Sequence, residues 1–170
     1  MTCDNDEIGA PYLEVKAKRS FDDVPVEVDW HDYLANVRRL GSAYQVNDLV
    51  RPLRQFATGL QYRCTVAGIT SGRKYSEIRW PTVVGGTVTD GTVTWTAEAL
   101  SNGSLRSTIA SNTWPAVAGL TLSGAASLDL RYVTRVAGGV SGTSYDIKHQ
   151  VTLASGEDKE AVIVLPVRDQ

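Results

Sequence analysis

Histidine and cysteine are nearly missing from this chain, with two of each in 170 residues. Cys3 and Cys64 cannot build a disulfide framework, so two free thiols in a reduced compartment are expected. So few sulfur and imidazole ligands, set far apart, give no zinc spacing. No apolar run approaches the roughly 20 residues that span a bilayer. The start, Met1-Thr2-Cys3-Asp4-Asn5-Asp6-Glu7, is acidic and polar. It lacks the basic head and apolar stretch that a signal peptide needs. Helical periodicity is scarce too. Only residues 29–40 show it, with Trp30, Tyr33, Leu34 and Val37 on one face, so a short helix ending at Gly41 is expected there.

Catalytic constellations are equally thin. His31 lies between Trp30 and Asp32, and neither it nor His149 stands beside a nucleophile with an orienting acid. His31 reads as exposed at a helix start, and His149 as a packed side chain with one hydrogen bond. No Gly-x-Ser-x-Gly elbow is present. Gly138-Gly139-Val140-Ser141-Gly142 is glycine-rich, but it joins two strands and opens no helix, so it offers no phosphate site. Glu157, Asp158 and Glu160 surround a hairpin tip facing water, and Asp90 reads as a turn residue. Neither enzymatic activity nor a cofactor is expected.

The net charge of -2 hides an asymmetry. Residues 1–30 hold eight acids and three bases, and residues 31–95 hold four acids and eight bases. An acidic arm and a basic middle suit contacts between neighbouring copies, or are simply solvated faces. The bases are scattered and the whole is weakly acidic, which argues against a nucleic-acid reader.

What is present is strand periodicity. Tyr145, Ile147, Val151 and Leu153 alternate with Asp146, Lys148, Gln150 and Thr152, the pattern of a strand with one face in a core. Ser155-Gly156-Glu157-Asp158 is a turn signal, and Ala161, Ile163, Leu165 and Val167 alternate after it, so an antiparallel hairpin is expected. Leu128, Leu130, Tyr132 and Val136 suggest a third strand and residues 119–122 a fourth. Val24, Val26, Val28 and Trp30 alternate, with Pro25 requiring an edge or a strand start. Residues 12–17 suggest a short edge strand with Leu13, Val15 and Ala17 on one side. Sheets with one apolar face need a partner sheet, so the fold expected is all-β, a small immunoglobulin-like β-sandwich. Trp30, Trp114 and Tyr145 are its expected core anchors.

Residues 43–97 differ in character. Their strands are short and set between glycine-rich turns, with Asp90-Gly91 as a tight-turn signal. Tyr62, Trp80 and Trp95 are candidate partner or sugar contacts. The favoured reading is that they form the core that so small a unit needs. The division expected is an arm and edge strand over 1–20, a sandwich over 21–42 plus 98–170, and an inserted small β module over 43–97.

Two family resemblances attach to these stretches. Gly68-Ile69-Thr70-Ser71-Gly72, the run from Trp80 to Trp95, and Tyr62-Arg63-Cys64-Thr65 resemble a small module recurrent in tailed-bacteriophage virion proteins. Where that module carries Glu-Pro before its tryptophan, this chain has Glu77-Ile78-Arg79. The spacing of aromatics is also similar to that of small carbohydrate-binding domains. Residues 26–34, 107–114 and 138–145 resemble the fibre-tail adaptor family of tailed phages, with residues 43–97 interposed. The resemblance implies a structural virion protein of the tail or neck, with tail, portal or fibre proteins as partners and a ring of identical copies. A carbohydrate-binding module with a glycan ligand and a capsid decoration protein are the alternatives. Neither nucleic acid nor membrane is an expected partner.

Overall fold

The structure is a computed structural model that describes residues 11–14, 17–20 and 22–169. The arm over residues 1–10, with Cys3, lies outside the described residues, as does Val15. The chain is all-β and divides into two compact units, one formed by Leu34–Ser107 and the other by Gly9–Tyr33 with Thr108–Gln170.

The second of these begins with β1 (Tyr12–Glu14) and β2 (Val24–Asp29). β1 is a short edge strand, pairing among the described residues with residues 27–29 of β2. Pro25 falls in the stretch of β2 that β1 does not cover, the placement its missing amide requires. A single helical turn, α1 (His31–Leu34), follows. The longer helix expected over residues 29–40 does not form. The spacing of Trp30, Tyr33 and Leu34 comes from that one turn, after which Ala35 and Val37 enter bridges with Leu105 and Arg51. Extended backbone at those positions satisfies the groups a helix would have paired internally.

Leu34–Ser107 carries β3 (Ala43–Tyr44), β4 (Leu49–Val50), β5 (Leu60–Val66), β6 (Gly68–Ile69), β7 (Thr87–Asp90) and β8 (Val93–Ala99). Four of them form an antiparallel sheet in the order β4-β5-β8-β7, and β3 pairs with β6. Gly91 closes the β7–β8 hairpin at φ +66°. A methyl group there would stand 2.3 Å from the Ile69 carbonyl oxygen and 2.7 Å from the Ser71 nitrogen. Gly91→Ala is therefore expected to destabilise this unit by about 1–3 kcal/mol. Urea titration of the variant checks it, and a loss below about 0.5 kcal/mol would show that the turn relaxes freely.

The remaining strands return to the first unit described: β9 (Ile109–Thr113), β10 (Leu120–Leu128), β11 (Arg131–Gly138), β12 (Ser144–Leu153) and β13 (Asp158–Pro166). One sheet runs β1-β2-β11-β10 and the other β13-β12-β9. The expected hairpin is β12–β13, with Tyr145 opposite Leu165 and Ile147 opposite Ile163, and Gly156 in its turn at φ +84°. The expected third strand is two. Leu128 ends β10, Asp129 turns the chain at φ +52°, and Leu130 precedes β11. Aspartate tolerates that left-handed conformation because its short side chain bonds locally. Val26, Val28, Val136, Ile147, Ile163 and Leu165 are buried core residues of this unit. Lys18, itself buried, donates from Nζ to the Gly138 carbonyl at 2.7 Å, and its backbone bridges Val167.

Candidate functional site

In Leu34–Ser107 the three candidate contact aromatics converge. Tyr62 and Trp95 have no exposed surface and Trp80 retains 9%. Ring centroids lie 4.5 Å apart for Tyr62 and Trp80 and 6.3 Å for Trp80 and Trp95. Tyr44 meets Trp95 edge-on at 4.9 Å, and Tyr75 stacks on Trp80 at 5.7 Å. Tyr62 Oη donates to the Pro81 carbonyl at 2.6 Å. Tyr75 Oη accepts from the Arg38 amide and donates to the Arg51 carbonyl, and burial pushes its phenol far above the usual range. These rings are the centre of the unit's core, where edge-on and offset contacts add to the burial of their area. Cys64 is a free, buried thiol in the same cluster, its pKa raised by burial.

Beside this core lies a buried ion pair. Arg38 Nε and Nη2 reach Asp90 Oδ2 and Oδ1 at 2.6 and 2.9 Å, and neither side chain has exposed surface. The guanidinium also donates to the Arg73 and Ser71 carbonyls. Asp90 further accepts from the Ser71 amide and hydroxyl. Burial alone would raise the Asp90 pKa. The hydrogen bonds from Arg38 and Ser71 reverse that and hold it below the ordinary carboxylate value. Asp90 is thus a turn residue and also the anchor of a network. Arg38, read from sequence among scattered surface bases, is its partner across 52 residues of chain.

The other unit has its own polar centre. His149 is fully buried, with the rings of Trp114, Tyr132 and Trp30 at 4.4, 4.7 and 6.0 Å. Trp30 Nε1 donates to His149 Nδ1 at 3.0 Å, so the neutral imidazole carries its proton on Nε2. Nε2 finds no partner among the described residues. The single hydrogen bond expected for this histidine is the one observed. Trp30 is buried, whereas Trp114 and Tyr145 are half-buried. Tyr145 Oη accepts from the Val140 amide and so closes the glycine-rich loop.

The acids at the hairpin tip are engaged with neighbours. Gln150 and Lys148 donate to Glu160 and lower its pKa, Thr152 donates to Asp158, and Lys159 donates to Glu157. Asp158 and Glu160 border a shallow cleft of about 390 Å³ with Ser111 and Thr113. Among the described residues no three histidine, cysteine or acidic side chains gather to hold a metal, and no helix is long and apolar enough to cross a membrane. His149 Nδ1 is taken up by an indole, so this imidazole is placed for packing, not for drawing a proton from a nucleophile. What the geometry offers is surface: polar sheet faces and strand edges.

Residues 85–166 match the family model described as podophage GP4 fiber-tail adaptor protein gp77. The span runs from the β7–β8 hairpin through every strand from β9 to β13. It takes in residues 107–114 and 138–145, and also the hairpin at residues 87–95, which lies within the stretch expected to be an inserted module. No curated protein and no solved structure matches the chain. Over residues 85–166, then, the chain is similar to a podophage fibre-tail adaptor family.

Proposed function

We propose that the chain joins fibres to the tail of a short-tailed phage, working by contact and without making or breaking bonds. The family match over residues 85–166 carries this reading. In it, the two-sheet unit is an immunoglobulin-like sandwich that docks on the tail or portal vertex, and residues 43–97 form a module inserted into one of its loops. Insertion is tolerated where host ends lie close together at the surface. Many copies in a symmetric ring make weak single contacts sufficient through avidity.

Tyr62, Trp80 and Trp95 fill a core, so the glycan-binding alternative has no stacking platform in these three rings. Immunogold labelling of purified virions tests the proposal. Label at the tail, and fibreless particles from phage lacking this gene, are the expected results. Label on the capsid would indicate a decoration protein instead, and particles without label would end the reading.

A further inference from the structure

The chain leaves the two-sheet unit at Tyr33 and returns to it at Thr108, with Leu34–Ser107 between. A tryptophan stands close to each crossing. Trp30 immediately precedes α1, and Trp114 immediately follows β9. Both rings lie against one side chain, His149 of β12. Trp30 is held to it by the 3.0 Å bond from indole Nε1 to Nδ1, and Trp114 by ring contact at 4.4 Å. Trp30 also meets Tyr33 of α1 edge-on at 5.8 Å and donates its amide to the Leu130 carbonyl. A phenylalanine in place of His149 would pack on the same rings and leave no polar atom buried. The imidazole instead leaves Nε2 without a partner among the described residues, which costs stability. What it supplies is a bond that a single proton destroys.

We propose that His149 is an acid-operated latch that fastens both crossings, and that its protonation frees residues 30–33 and 108–114 together while Leu34–Ser107 keeps its fold. Nδ1 accepts only while it carries no proton. Once protonated, it confronts the Trp30 N–H with a second N–H, and the bond is lost. The imidazolium must also reach water, since an unpaired buried charge costs far more than the hydrogen bond given up. A ring that moves toward water leaves Trp114 as it releases Trp30, and this couples the two crossings.

Among the described residues no carboxylate bonds this imidazole, so none would hold the charged ring in place. β9 carries no titratable side chain. On β11, Tyr132 packs on the imidazole at 4.7 Å, and burial raises its phenol, so it stays neutral in acid. Asp129 acts on that phenol, whereas burial alone shifts His149. At the end of β2, the Asp29 carboxylate accepts the His31 amide. On β13, Lys159 sits over the Tyr33 ring and donates to Glu157, and on β12 itself Lys148 donates to Glu160. The response is thus set by this one imidazole. Opening takes up a proton, so the latch opens as pH falls from 6.5, the exposed value, toward about 4, the buried one. The latch does not depend on the function proposed above, and its test needs no virion.

Hydrogen–deuterium exchange of the full chain between pH 7 and pH 4, corrected for intrinsic exchange rates, tests it. Protection of residues 30–33 and 108–114 is expected to fall about a hundredfold, while that of β5 and β8 holds. An opening that takes up one proton loses about tenfold in protection per pH unit, and both segments should follow that slope in step. His149→Gln keeps an acceptor for Trp30 without a titrating group, and should hold both segments at both pH values. If that variant does not fold, the slope in the native chain decides. Equal losses in β5 and β8 overturn the proposal, since the unfolding is then global. So do segments that open at different pH values, a flat slope, or a folded His149→Gln that opens as the native chain does.

Discussion

Acidification from pH 7 to pH 4 is expected to withdraw about 3 kcal/mol of stability from the two-sheet unit through His149 alone. Burial pushes this imidazole down to about 4, against 6.5 for an exposed histidine. The unfolded chain therefore binds a proton between those values that the folded chain refuses, and stability falls as pH falls through that window. The geometry gives the reason. Nδ1 already accepts the Trp30 indole proton, so a proton added there would face another N–H and break the bond. No carboxylate is among its hydrogen-bond partners, and its neighbours are the rings of Trp30, Trp114 and Tyr132.

His149→Gln keeps an acceptor for Trp30 and cannot titrate. Urea unfolding of both proteins at pH 7 and pH 4, followed by tryptophan fluorescence, isolates the effect from the acids that both share. The native chain should lose about 3 kcal/mol more than the variant over this interval. Equal losses in the two proteins would remove His149 as the cause.

Asp90→Asn is expected to cost Leu34–Ser107 about 3–5 kcal/mol, because it leaves the Arg38 charge buried and unmatched. Arg38→Met should cost a similar amount by leaving the carboxylate. The double substitution to apolar residues of matching volume should cost less than the two single losses together, since neither charge then remains. Urea titration of the four proteins completes the cycle, and strict additivity would mean that the pair is not coupled. The depressed Asp90 pKa adds a pH signature. Its contribution is present above the unfolded carboxylate value, about 3.9, and is lost as pH falls through the lower folded value. His149 and Asp90 thus fail in different acid ranges, the histidine first.

The parts of this fold legible from sequence are those with short-range rules. The β12–β13 hairpin shows because alternation repeats over ten residues and Gly156 marks its turn. Asp90-Gly91 shows because a two-residue turn has few solutions. The β10–β11 turn was hidden because Leu128, Leu130 and Tyr132 keep period two straight through Asp129. The supposed helix was hidden in the opposite sense. Residues 30–37 imitate its spacing, while long-range bridges to Leu105 and Arg51 decide their conformation. Arg38 was invisible as a core residue because nothing local distinguishes a buried arginine from a surface one. Its acceptors lie 33, 35 and 52 positions away. The candidate site suffers the same limit. The three aromatics could be named, but sequence alone leaves open whether they face water or one another.

The two ends of Leu34–Ser107 are clasped together. Arg106 donates its amide to the Leu34 carbonyl and Asn36 donates to the Ser104 carbonyl, both at 2.8 Å. A segment that starts and finishes within about one strand spacing, 4.8 Å, can be spliced into any tight bend of another protein with little demand on the recipient.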